Sequence, residues 1–164
     1  MQDDDRKADP LRLAGLAFFR DLPQWAVDRI AQSATVQCAE VGQVLLRQYD
    51  RASTVFVLLS GAVQVLIRVG SDDLIVGTLR GEGQLLGWST FGPADRYTAS
   101  LRCEEPTAVV RIPATAFEEL FEEDPGVAHA TLSQVAAGVA EGYELARELL
   151  CARPRRGPVG ADGG

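Results

Sequence analysis

The sequence predicts a mainly β domain with flanking helices: an eight-stranded antiparallel roll, jelly-roll-like, with N-terminal helices before it and a short and a long helix after it. Three observations predict this. Between residues 35 and 112, short apolar or alternating runs recur at roughly 8–12-residue spacing, the pattern of half-buried strands. Gly61, Gly70 and their polar neighbours separate the runs where βαβ units would need helices. After Pro113 the apolar spacing lengthens to that of a helix and keeps that period to Leu150.

The first nine residues are polar and acidic and are expected to be disordered. The domain is expected over 10–150, with the roll at about 35–113 and the C-terminal helices at about 114–150. Pro10 opens a short helical pattern through Leu11, Leu13 and Leu16. Pro23 opens a second, in which Trp25, Ala26, Ile30 and Ala34 share a face. Phe18, Phe19 and Leu22 lie in a packed connection between them. The strand runs are 35–40, 44–48, 55–59, 62–69, 74–79, 84–86, 97–103 and 107–112, with Ser60-Gly61 and Gly70-Ser71-Asp72-Asp73 as turns. Thr115 and Glu118 have capping-box spacing at the start of a short helix that carries Phe117, Leu120 and Phe121. Asp124-Pro125 ends it. A long helix follows from about Gly126, on which Ala128, Leu132, Val135, Val139, Gly142, Ala146 and Leu149 alternate at four- and three-residue steps. This seam of mostly small residues can pack on its own roll or on a copy of itself; as a homodimer seam it comprises Leu132, Val135, Val139, Gly142, Ala146 and Leu149. The Pro/Gly-rich tail, 151–164, is expected to be disordered.

A chain of 164 residues, 46% apolar, suffices for one domain without disulfide or metal staples. With 23 acidic against 16 basic residues, net −7, it is a poor general binder of nucleic acid or anionic membrane. One histidine, His129, and three scattered cysteines, Cys38, Cys103 and Cys151, provide neither a zinc set nor a nucleophile–base pair. No catalytic residue, metal ligand or cofactor is therefore expected, and the protein is read as a non-enzyme. There is no signal-peptide pattern and no run of about 18 apolar residues, so a cytoplasmic protein without membrane attachment is expected.

Certain turn residues carry a resemblance. Val41-Gly42-Gln43-Val44-Leu45-Leu46, Val55 to Val65 with Gly61, Gly83-Gln84-Leu85-Leu86-Gly87 and Ala99-Ser100-Leu101-Arg102-Cys103 resemble, in order, successive strands of the cyclic-nucleotide-binding domain of the Crp/Fnr-like superfamily. The resemblance runs from about Phe18 to Leu150. It implies that Gly87 leads into a short phosphate-cassette helix whose N–H groups face a cyclic phosphate. In that family a glutamate follows the glycine and an arginine further on pairs with the phosphate. Here Trp88 follows Gly87, and an ungapped match puts Tyr97 at the arginine position. Arg96 can replace it only if the loop 91–95 differs in path by one residue, because one step along a strand reverses the side chain. The Gly-Trp-Ser cassette resembles that of bacterial stand-alone members of the superfamily.

The residues implied for a ligand are Gly87, Trp88, Ser89, Thr90, Arg96, Tyr97, Thr98 and Ala99. The resemblance implies a stand-alone regulatory or sensor domain. It would bind a small anion, a cyclic nucleotide or a variant, and signal through its C-terminal helix to an unidentified protein partner or a second copy. The alternative is a ligand-free interaction or dimerisation module whose pocket is filled by Trp88 and Tyr97. Family members that bind DNA carry a further domain after the long helix. The 14 residues after Leu150 (164 minus 150) lead to the expectation of no DNA-binding domain here.

Overall fold

A computed structural model describes residues 6–152, apart from the side chains of residues 145, 146, 149 and 150. The elements, in chain order, are β1 (Arg6–Lys7), α1 (Pro10–Ala14), a 3-10 turn (Ala17–Phe19), α2 (Gln24–Ser33), β2 (Thr35–Ala39), β3 (Val44–Leu46) and β4 (Thr54–Ser60). They continue with β5 (Ala62–Val69), β6 (Asp72–Arg80), β7 (Leu85–Leu86), a 3-10 helix (Trp88–Phe91), β8 (Ser100–Cys103), β9 (Thr107–Pro113), α3 (Ala114–Glu123) and α4 (Pro125–Ala152). The strands form two antiparallel sheets, ordered β1-β2-β9-β4-β7 and β3-β8-β5-β6, so the mainly β roll with flanking helices is the observed architecture.

The unbroken apolar run of β4 follows from burial on both faces. Val55, Val57 and Leu59 pack with the helices against Phe19, Ile30, Phe117 and Leu120, while Phe56 and Leu58 point between the sheets toward Leu46, Val63, Leu86 and Leu101. β9 divides in the same way, Val110 and Ile112 to the helical side and Val109 to the interior. Rings of Phe18, Phe91 and Phe117 meet edge to face on the helical side, the Phe91 and Phe117 centroids 5.1 Å apart at 82°, and Phe121 packs on Phe91 at a tilt.

Four expectations change. Residues 6–9, read as part of a disordered N-terminus, are ordered: Arg6 and Lys7 form β1 on the edge of β2, and Ala8 is buried, its N–H donating to the Ala34 carbonyl (3.0 Å). Two backbone pairings and one buried methyl carry no periodicity for a sequence pattern to register. Residues 1–5 and 153–164 lie outside the described residues, and α4 runs through Cys151 and Ala152. The strand expected from residue 97 begins at Ser100, because Tyr97 bonds through its backbone to Tyr49 and Asp50 instead of to β5 (both 2.9 Å). α3 starts one residue before Thr115, and no side chain caps it: the Ala114 N–H is satisfied by the Ser53 carbonyl (2.9 Å). Cys38 is exposed, whereas Cys103 is buried, and burial pushes its thiol pKa up, keeping it neutral.

Candidate functional site

β7 pairs with β4 through Leu86 opposite Phe56 and delivers the chain to Gly87 at the end of the roll interior. Gly87 has φ +80°, and a Cβ there would lie 3.1 Å from the Leu46 side chain and 3.3 Å from the Thr54 carbonyl oxygen. Left-handed backbone and lack of space both select glycine, and the Trp88–Phe91 helix starts from it.

Tyr97 comes back beneath this turn and is 6% exposed. Its ring packs with Leu46, Phe56, Leu86 and Leu101 in the roll interior. Its hydroxyl donates to the Thr54 carbonyl (2.7 Å) and accepts from the Thr54 N–H (3.1 Å), so every polar atom of the ring is satisfied by backbone. Beside it remains a cavity of about 30 Å³, lined by Gly87, Trp88, Ser89, Tyr97, Thr98 and Ala99 together with Leu46, Val65, Leu79 and Leu101. That is room for about one water molecule.

The structure thus assembles six of the eight residues implied for a ligand and sets two apart. Arg96 is exposed and lines neither this cavity nor its neighbours; its guanidinium donates to the Tyr49 carbonyl (2.8 Å) and its backbone bridges Arg51. The chain thus turns Tyr97 inward and Arg96 outward, so the Arg96 guanidinium is not placed at this cavity. Thr90 is spent on backbone, its hydroxyl donating to the Gly87 carbonyl (2.9 Å) with Thr54 O at 3.3 Å. Ser89 and Thr98 hydroxyls bond each other (2.9 Å), and Ser89 Oγ also accepts the Thr98 N–H (3.2 Å).

Trp88 decides the remainder of the geometry. Half-buried, it reaches α4, where a Cβ on Gly142 would stand 3.3 Å from its ring. Trp88 and Gly142 border two larger cavities. One, about 310 Å³, has mixed walls: Arg80, Glu82, Gln84, Gln134 and Glu141 line it together with Phe18, Leu79, Leu85 and Ala137. Arg80 is already paired with Glu104 (2.7 Å) and Glu105 (3.4 Å). The other, about 300 Å³, lies between the β5–β6 hairpin and α4 and shares Val65, Leu79, Trp88, Thr98 and Ala99 with the lining of the small cavity.

The strand residues Val65, Ile67, Val76 and Leu79 were not among those the sequence singled out. Val65 and Ile67 alternate as a strand face does, but Val76 joins them only through the register shift in the β5–β6 pairing, and which element covers that face depends on where α4 lands.

The seam divides as well. Val135 packs on the helical side of the core and Gly142 meets Trp88, so both turn to their own domain. Leu132 (44% exposed) keeps outward surface, while Val139 (41%) and Tyr143 (67%) are partly exposed and also border the larger apolar cavity. The side chains of Ala146 and Leu149 lie outside the described residues. His129 is exposed near the start of α4.

Among the described residues no helix is long and apolar enough to cross a membrane, and no group of three or more His, Cys, Asp or Glu side chains is placed to hold a metal ion.

The family model of the cyclic nucleotide-binding domain matches residues 36–124. No curated protein matches the sequence. Among solved structures, a Geobacter metallireducens protein described as cyclic nucleotide-binding is similar with TM-score 0.74 and 24% identity, over 83% of this chain and 98% of that one. The sensor domain of the transcriptional regulator DNR from Pseudomonas aeruginosa is similar with TM-score 0.67 and 18% identity, over 79% and 91%. A cyclic nucleotide-binding domain from Methylobacillus flagellatus aligns with TM-score 0.65 and 16% identity, over 91% and 98%. At these identities the likeness is one of fold.

Proposed function

The chain belongs to the cyclic nucleotide-binding domain family, and from that premise we propose that it is a non-enzymatic regulatory domain that reads a small molecule beneath α4 and passes the result on through that helix. The observation that carries this reading is the contact between Trp88, in the cassette, and Gly142, in α4. The same short helix meets α3 through Phe91 and Phe117. A shift of Trp88–Phe91 is therefore felt at both C-terminal helices, and a ligand that favours one position of α4 biases the ensemble by its differential affinity. The sensor domain among the similar structures is in keeping with such a role. A cyclic phosphate held in the cassette has less support, since Tyr97 occupies the interior and Arg96 faces away.

Trp88→Ala tests the coupling without any ligand. Amide exchange across 138–143 is expected to quicken by about tenfold, equivalent to roughly 1.4 kcal/mol of local opening, with strands β4 and β9 unchanged. Exchange in α4 identical to that of the parent protein sinks the reading.

The alternative of a ligand-free interaction module draws on the filled interior, and both readings share an output through the outward side of α4. We propose self-association there, through Leu132 and Val139. Leu132→Glu is expected to convert a dimer to a monomer in light scattering while leaving the circular dichroism spectrum as it was. A parent protein that is already monomeric, or a dimer indifferent to the change, removes self-association as the output.

A further inference from the structure

We propose that the chamber between the β5–β6 hairpin and α4 takes a small neutral ligand with a flat, apolar body of about two fused or linked rings. This rests on the regulatory reading above and names the chemical class that the site selects.

Size comes first. At about 300 Å³ the chamber is at the lower end of the range for small-molecule pockets, roughly 300–1,000 Å³, while the neighbouring cassette cavity has room for only about one water. Charge comes second. None of the eleven lining residues of the chamber is ionisable near neutrality: its walls are Val65, Ile67, Val76, Leu79, Trp88 and Val139, completed by two glycines, Thr98, Ala99 and Tyr143. A phosphate resting against such walls gives up part of its hydration and finds no cation in return.

The surroundings offer no remedy. Tyr97 fills the place of the phosphate partner and has no unsatisfied polar atom, and Arg96 is bonded to Tyr49 outside. Across Trp88, the cavity with mixed walls presents Glu82 and Glu141, and its one cation, Arg80, is bonded to Glu104 and Glu105. An anion is repelled there as well.

What the chamber provides is an indole wall from Trp88, aliphatic strand faces, and few polar side chains, Thr98, whose hydroxyl is bonded to Ser89, and Tyr143, which is largely exposed. Rings stack or pack edge-on against such walls, and a single hydroxyl or amine on the ligand can find a partner at the rim. A ligand wedged between strand and helix presses on Gly142 and Val139 from the roll side, which is how occupancy would move α4.

The test uses N-phenyl-1-naphthylamine, a neutral two-ring fluorophore, titrated into the full chain. Saturable enhancement with one site per chain is expected, unaffected by cyclic AMP at millimolar concentration. Val76→Asp, which puts a carboxylate in the wall, and Ala99→Leu, which fills the space, should each weaken binding at least tenfold; where one variant fails to fold by circular dichroism, the other supplies the reading. Failure of the probe to saturate, indifference to the folded variants, or displacement by cyclic AMP overturns the neutral-ligand assignment. The Trp88→Ala exchange experiment needs no ligand, so fast α4 exchange together with a failed titration discards the ligand class and leaves the coupling standing.

Discussion

Tyr97→Ala is expected to lower the unfolding free energy by about 3–5 kcal/mol, the cost of truncating a large buried aromatic side chain. Two losses combine. The ring leaves a hole among Leu46, Phe56, Leu86 and Leu101, and the Thr54 N–H loses its acceptor inside the roll. The Thr54 carbonyl keeps the weaker bond from Thr90 Oγ1 at 3.3 Å. Tyr97→Phe separates the two effects, because it retains the packing and forfeits only the hydroxyl, at about 1–3 kcal/mol. Urea denaturation with an unchanged m-value is the measurement. A loss under about 1 kcal/mol for the alanine variant would mean that the ring is not part of the core, whose large truncations cost more. The enlarged cavity is not expected to gain cyclic AMP binding, since no cation points into it.

Gly61→Ala should be at least as damaging, at about 4 kcal/mol or more. Gly61 joins β4 to β5 with φ +95°, and a methyl there would lie 2.5 Å from Thr107 Oγ1, 2.6 Å from the Pro106 carbonyl oxygen and 2.7 Å from Thr107 Cα. Two of those atoms are backbone at the start of β9. Thr107 itself is held by its hydroxyl bond to the Glu105 carbonyl (2.8 Å), so relief requires moving a strand paired to both β2 and β4. Gly70 provides the internal comparison: its φ is +65°, but nothing lies within 4 Å of the added methyl. Gly70→Ala should therefore cost only the left-handed backbone term, roughly 1–2 kcal/mol. Equal losses at the two positions, measured side by side by chemical denaturation, would discredit the steric argument.

These two residues also show how far the chain could be read before it was folded. Gly61 and Gly87 stand out in the sequence as turn glycines between apolar runs, and both have positive φ with a crowded Cβ position. Tyr97 was legible as a departure from a family pattern, but its consequence was not. A tyrosine in that place can stack on a ligand or seal the interior, and the choice rests on whether its hydroxyl meets Thr54, 43 residues earlier in the chain. Arg96 illustrates the same limit at a finer scale. Its position differs from that of Tyr97 by one residue, and the direction of a side chain on an extended segment depends on the pairing of that segment with Tyr49 and Asp50.

Local chain chemistry was enough to place eight strands, the two C-terminal helices and the glycine turns, because alternation, helical period and backbone freedom are properties of neighbours in sequence. It was also enough to doubt an ordinary nucleotide site, because two charged residue types are missing by name. The folded molecule decided the rest: which face of the β5–β6 hairpin α4 covers, that Trp88 rests on Gly142, and that the space between that hairpin and α4 is apolar. Those outcomes depend on groups far apart in the chain competing for the same volume, and close packing settles such competition only when all of the elements are present.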